Sequence, residues 1–169
     1  GTAPTSIAFN TDGTKMFIVE KFTSDSVNEY ALSIPYCLST AAFIDSTDIS
    51  GQETDPTSIA FNADGTKMFI VGSQSDKVNE YTLSTGFDAS TLTFVDATSI
   101  SGQETGPRGM AFSTDGKKMF IVGSDKTVDE YTLSIGFDAS TLTFVDATSI
   151  SGQETGPRGI AFNADGTKM

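Results

Sequence analysis

The chain has 169 residues, 22 of them acidic against 10 basic, and a net charge of −12. Carboxylates scattered singly among Ser, Thr and Gly give a surface that repels phosphate backbones and anionic lipid, so nucleic-acid and membrane-surface partners are not expected. With no His and a single Cys, a His-based triad, a Cys/His zinc site and an intrachain disulfide are all excluded.

The first predicted strand, Thr5-Ser-Ile-Ala-Phe-Asn10, alternates Ile7 and Phe9 with the small residues Ser6 and Ala8. Small side chains suit a crowded axis. Asn10-Thr-Asp-Gly-Thr14 follows as a tight turn in which the Asp-Gly pair supplies the positive-φ position of a short hairpin. Next comes Lys15-Met-Phe-Ile-Val-Glu20, whose unbroken apolar run predicts burial on both faces. The third segment, Ser26-Val-Asn-Glu-Tyr-Ala-Leu32, places Tyr30 and Leu32 on one face and Val27 with Glu29 on the other, which predicts half burial. A polar loop containing Pro35 leads to Thr40–Ile49, rich in β-branched and aromatic residues and read as the fourth strand. Apolar runs reach only about four residues, against the roughly twenty that a spanning helix needs, so no membrane insertion is expected.

Gly51-Gln-Glu-Thr-Asp-Pro56 then returns the chain to a second copy of the same pattern, and a third and the start of a fourth follow. The repeated Pro falls at positions 4, 56, 107 and 157, a period near fifty residues of the kind that marks solenoids, propellers and arrays. Residues 86 to 109 recur unchanged as 136 to 159, as a duplicated segment would. Nothing in the chain keeps a helical apolar period. Four short antiparallel strands per period describe propeller blades or a β-solenoid, and the tight hairpin between the first two strands favours blades. The expected fold class is therefore all-β, a β-propeller of consecutive four-stranded antiparallel blades forming an incomplete ring. Blade 1 is assigned to residues 1–52, blade 2 to 53–103 and blade 3 to 104–153. Residues 154–169 are assigned to the inner strand and start of blade 4. Because Gly1-Thr-Ala-Pro4 aligns with Glu53-Thr-Asp-Pro56, the chain is expected to be part of a longer protein.

The repeated motif Pro-x-Gly-(Ile/Met)-Ala-Phe-(Asn/Ser)-x-Asp-Gly-x-Lys-Met-Phe-Ile-Val-Gly-Ser, followed by Asp-x-Val-x-Glu-Tyr-x-Leu-Ser, resembles the NHL and YVTN class of β-propeller repeats. It is similar in particular to repeats in predicted marine bacterial and phage proteins. It departs from WD40 repeats, having neither Trp nor His, and lacks a kelch-like double glycine. The resemblance implies a radial array with the Ile-Ala-Phe strand innermost and the Thr-Phe-Val strand outermost. It implies no single activity, because propellers host ligand binding, protein binding and a few enzymes.

In such an array one rim of the channel is built by the loops from outer to next inner strand and by the loops between second and third strands. That rim gathers Gln52, Glu53 and Asp55, then Gln103, Glu104 and Arg108, then Gln153, Glu154 and Arg158, flanked by Ser73, Asp76, Lys77, Ser124, Asp125 and Lys126. Amides and carboxylates beside a forked guanidinium suit sugars or polar peptide groups. Gln and Glu that cap turns, with Arg108 paired to a nearby carboxylate, would make the same pattern purely structural. Asn10-x-Asp12-Gly13 and its copies lack the ligands that complete a calcium loop and read as turns. Glu29, Glu80 and Glu130, beside Tyr in each third strand, read as structural carboxylates between blades; no Lys or second carboxylate is picked out as their partner. Tyr36, Phe87 and Phe137 are expected to anchor the loop between third and fourth strands, and Cys37, with no His to activate it, is an ordinary thiol. No catalytic residue, metal or cofactor is expected.

These readings favour a non-catalytic binding or adhesion scaffold that holds a glycan or protein on its rim, displayed at an extracellular, cell-envelope or virion surface. The alternative is a propeller enzyme of calcium-dependent hydrolase or lyase type with its site at the channel mouth. The terminal blades would expose apolar faces, so self-association is a further expectation.

Overall fold

The computed structural model describes residues 3–169; Gly1 and Thr2, placed in blade 1 by the sequence, lie outside the described residues. Three four-stranded antiparallel sheets follow one another along the chain. The first contains β1 (Ala3–Phe9), β2 (Lys15–Lys21), β3 (Ser26–Leu32) and β4 (Ala41–Asp48). The second contains β5 (Pro56–Phe61), β6 (Lys67–Gly72), β7 (Lys77–Leu83) and β8 (Leu92–Ser99). The third contains β9 (Pro107–Phe112), β10 (Lys118–Gly123), β11 (Thr127–Leu133) and β12 (Leu142–Ser149). Each sheet is a simple meander in sequence order, and each is one blade.

The hairpin turns explain why the sheets start where they do. Gly65 has φ +72°, and a Cβ there would overlap the Phe87 ring, so the turn needs glycine for both conformation and space. Asp64 Oδ1 accepts hydrogen bonds from the Thr66 amide at 3.0 Å and the Thr66 hydroxyl at 2.6 Å, which locks the turn and holds the carboxyl below its ordinary value. The ring that covers the glycine belongs to the loop between third and fourth strands, as expected of Phe87. That ring also reaches the preceding blade: Phe61 stacks on Phe17 at 4.7 Å and on Phe87 at 5.4 Å.

The sheets stack face to face, and the apolar second strand is the centre of each stack. Met68, Phe69, Ile70 and Val71 in the middle blade are all fully buried, because Met68 and Ile70 face blade 1 while Phe69 and Val71 face blade 3. Burying a side chain of that size contributes on the order of 2 kcal/mol. In the outer blades one member of the run loses its cover: Ile18 and Phe120 are only half-buried. The third strand departs from expectation. Both faces of β7 are packed between blades, and Asn79 and Glu80 are as buried as Val78 and Tyr81. The fourth strand is mostly exposed, consistent with an outermost position.

Blades are also fastened by polar contacts. Lys15 Nζ lies 2.6 Å from Glu29 Oε1 and 2.6 Å from the Phe87 carbonyl oxygen of the next blade. The other Glu29 oxygen accepts the Ala89 amide at 3.0 Å. Blade 2 repeats this with Lys67, Glu80, the Phe137 carbonyl and the Ala139 amide. The carboxylates therefore lie at the blade junction, and each has the lysine partner that sequence reading did not assign. Along the axis, the Thr5 hydroxyl donates to the Pro56 carbonyl at 2.9 Å and the Thr57 hydroxyl to the Pro107 carbonyl at 2.7 Å, tying inner strand to inner strand.

Residues 157–162, expected to be a fourth inner strand, form no ladder. In the three complete blades that strand is held by a Met-Phe-Ile-Val neighbour, which this segment does not have among the described residues. The turn beyond it still closes, with the Gly166 amide donating to the Asn163 carbonyl at 3.0 Å, and Phe162 stacks on Phe120 at 4.6 Å.

Candidate binding cleft at the channel mouth

The loop from the outer strand of one blade to the inner strand of the next turns at Ile100, whose carbonyl accepts the Gln103 and Glu104 amides at 3.0 Å each. This turn drives Glu104 inward. It is fully buried, and Oε1 accepts the Gly106 amide at 2.8 Å, the Ser124 amide at 3.0 Å and the Ser124 hydroxyl at 3.0 Å. Oε2 accepts the Asp125 amide at 3.3 Å. Glu53 is buried likewise, accepting the Asp55 amide at 2.9 Å and bonding the Ser75 hydroxyl. Gly72 and Gly123 exist for these carboxylates, since a Cβ at either would overlap the incoming Glu. Glu53 and Glu104 are thus braces of the loop. Glu154 makes the first of these bonds, to the Gly156 amide at 2.8 Å, but stays exposed.

The remaining rim residues separate into two groups. Gln103, Gln153, Asp125 and Lys126 are exposed, and Gln52, Asp76 and Lys77 half-buried, outside the cleft described next. Burial and the neighbouring charges of Glu104, Glu53 and Asp125 push the Asp76 carboxyl up.

Asp55, Arg108 and Arg158, by contrast, come together. They line an open cleft of about 590 Å³ at the channel mouth, together with Thr5, Thr57, Ser73, Ser124 and Lys21. Lys21 was not singled out from the sequence. It occupies the place of Ser73 and Ser124, just as Asp55 occupies the place of Gly106, and these two departures from the repeat meet as an ion pair of 2.7 Å. Burial raises the Asp55 carboxyl, but hydrogen bonds from Lys21 and Ser73, with the Lys21 charge, outweigh it and hold the group ionised. Arg108 and Arg158 have no carboxylate within 4.0 Å among the described residues. The same two side chains line the channel immediately below the cleft, beside Ile7, Ile59 and Ile160. Among the described residues no group of three Asp, Glu, Cys or His side chains is placed to hold a metal ion.

No protein-family model matches the chain, and no curated protein does. Solved structures do. A functionally unknown protein from Desulfotomaculum acetoxidans matches over 98% of this chain and 47% of its own, with TM-score 0.67 and 19% identity. The periplasmic gluconolactonase of Pseudomonas aeruginosa matches over 88% of this chain and 40% of its own, with TM-score 0.61 and 15% identity. The Swd1 β-propeller domain from Myceliophteria thermophila matches over 88% of this chain and 44% of its own, with TM-score 0.58 and 12% identity. The chain spans less than half the length of these structures. At such identities the likeness is one of fold, and that fold is a run of consecutive β-propeller blades.

Proposed function

We propose that the chain is a non-catalytic binding scaffold that holds a glycan or protein group in the cleft at its channel mouth. The observation that supports this most is the convergence of Arg108 and Arg158, both without carboxylate partners among the described residues, on one recess large enough for a sugar or a short peptide side. Loops and strand ends on a rigid scaffold are where binding groups ordinarily sit. The repeat motif resembles that of the NHL and YVTN class, and we propose that the blades belong to it. A glycan array or pull-down that identifies a ligand, repeated with Arg108→Ala plus Arg158→Ala, tests the reading: loss of binding supports it, and undiminished binding counts against it.

A second reading is an enzyme with its site at the same mouth. It is favoured by the likeness to a gluconolactonase, and a hydrolase or lyase dependent on calcium is its other form. Hydrolysis of gluconolactone above background, abolished by either arginine substitution, would favour it, as would a calcium-dependent rise in melting temperature.

The chain on its own is further proposed to self-associate through its terminal faces. Ile7 is 53% exposed on one of them, and on the other Lys118 and Glu130 form the blade-fastening pair, at 2.7 Å, without a following blade to grip.

A further inference from the structure

We infer that the ligand of this cleft carries an oxyanion, a carboxylate or phosphate borne on a sugar, which the Arg108 and Arg158 guanidinium groups grip together. The inference rests on the cleft being the binding site and adds the chemistry of what it takes.

The arginines stand where blades 1 and 2 carry threonine. At the same inner-strand position blades 1 and 2 carry Thr5 and Thr57, whose hydroxyls donate to the next blade's Pro56 and Pro107 carbonyls. The following residues, Ser6 and Ser58, accept the Ile59 and Met110 amides at 3.4 Å and 3.2 Å. Arg108-Gly109 gives up both contacts at the next junction, and Arg158-Gly159 likewise carries neither hydroxyl. They are the only two arginines in the chain, and no ion pair among the described residues uses them. Interblade packing does not account for them.

A Cβ on Gly109 would lie 2.7 Å from the Gly159 Cα, so the backbones that carry the two side chains abut. Two guanidinium groups rooted on abutting segments line one cleft, and an anion lying between them would offset the repulsion of their like charges. Each offers a planar fork of donors suited to two oxygens of one carboxylate or phosphate.

The hydroxyls that line the cleft are already committed: Thr5 to the Val19 and Pro56 carbonyls, Thr57 to the Val71 and Pro107 carbonyls, Ser73 to Asp55, and Ser124 to Glu104. Lys21 is held by Asp55. The guanidinium groups are the lining cations with no carboxylate partner among the described residues, and the cleft holds three cations against one carboxylate in a chain whose net charge is −12. That local reversal of sign selects for an anion where the surrounding field would exclude one.

Calorimetric titration of the chain with glucuronate, glucose 6-phosphate, glucose and inorganic phosphate tests this. Arg108→Thr and Arg158→Thr, which restore the residue of blades 1 and 2, and a cleft-filling Ser124→Trp are titrated alongside, each checked by thermal melting. The expected result is binding of at least one acidic sugar and not of glucose. That binding should weaken about tenfold or more with each Arg→Thr change and fall further at high ionic strength. Glucuronate and glucose 6-phosphate distinguish a carboxylate from a phosphate. Inorganic phosphate bound as tightly as the sugar phosphate overturns the sugar part. No binding of either acidic sugar, equal binding of glucose, or indifference to both Arg→Thr changes overturns the inference. A neutral ligand lost with Ser124→Trp but indifferent to Arg→Thr leaves the cleft standing as a site without its anion; indifference to Ser124→Trp as well removes both.

Discussion

Glu80 Oε1 lies 2.6 Å from Lys67 Nζ on the neighbouring strand, and the same carboxylate reaches the Ala139 amide of the following blade at 2.8 Å. Lys67 in turn donates to the Phe137 carbonyl at 2.6 Å. One ion pair thus fastens two blades through both of its partners, and it recurs at each junction.

The same pair at the end of the stack has nothing to fasten. Glu130 and Lys118 meet at 2.7 Å with side chains 29% and 53% exposed. Glu80→Ala leaves a buried amide and a lysine unpaired, and is expected to cost about 3 kcal/mol. Glu130→Ala is expected to cost less than about 1 kcal/mol. Urea unfolding of the two variants measures the difference; equal costs would show that the junction does not depend on the clasp.

Asp129 occupies the place of Asn79 and is fully buried between blades 2 and 3. Burial pushes its carboxyl up, a hydrogen bond from Thr127 offsets part of this, and the charges of Glu104 and Asp125 add to the rise. The folded state therefore holds this proton more tightly than the unfolded chain, whose ordinary value is 3.8. Below that value the group carries no penalty. As pH rises through the interval up to the folded value, stability is lost, and the loss persists at neutral pH. Asp129→Asn is expected to stabilise the protein by on the order of 1 kcal/mol at neutral pH. The gain should shrink to nothing below the ordinary aspartate value, and melting curves recorded across pH check both its sign and its direction of change.

Self-association through the terminal faces predicts an apparent mass in sizing chromatography that rises with concentration. Ile7→Asp, which places a charge on one of those faces, should return the chain to a monomer. A single monomeric peak at high concentration would oppose the proposal.

Much of the architecture was legible because the chain repeats it. The Asp-Gly turn, the Met-Phe-Ile-Val run and the Phe87 anchor each have a local physical cause that survives in every copy. The lysine partner of Glu80 was not seen because Lys67 lies on the preceding strand, and nothing local joins the two. Its recurrence as Lys15 and Lys118 at the head of every second strand was the available signal. The rim carboxylates read two ways in the sequence, as ligand groups or as turn caps, and for Glu53 and Glu104 the distinguishing signal is the glycine at 72 and 123 that makes room for each Glu and recurs with it. Lys21 was overlooked because it breaks the repeat singly, and its meaning emerges only with Asp55, which breaks the repeat on the next blade. Residues common to the blades hold them together, while Lys21, Asp55, Arg108 and Arg158, which depart from the pattern of other copies, line the cleft.

The claim on which the functional reading depends is that Arg108 and Arg158 are surplus to folding. The melting temperature of Arg108→Thr plus Arg158→Thr tests it directly. With two like charges removed and a threonine available to reach the next inner strand, as Thr57 reaches Pro107, the account predicts a value equal to that of the parent chain or higher. A fall of more than about 5 °C, which for a domain of this size is above 1 kcal/mol, would show that the arginines hold the blades and would contradict it.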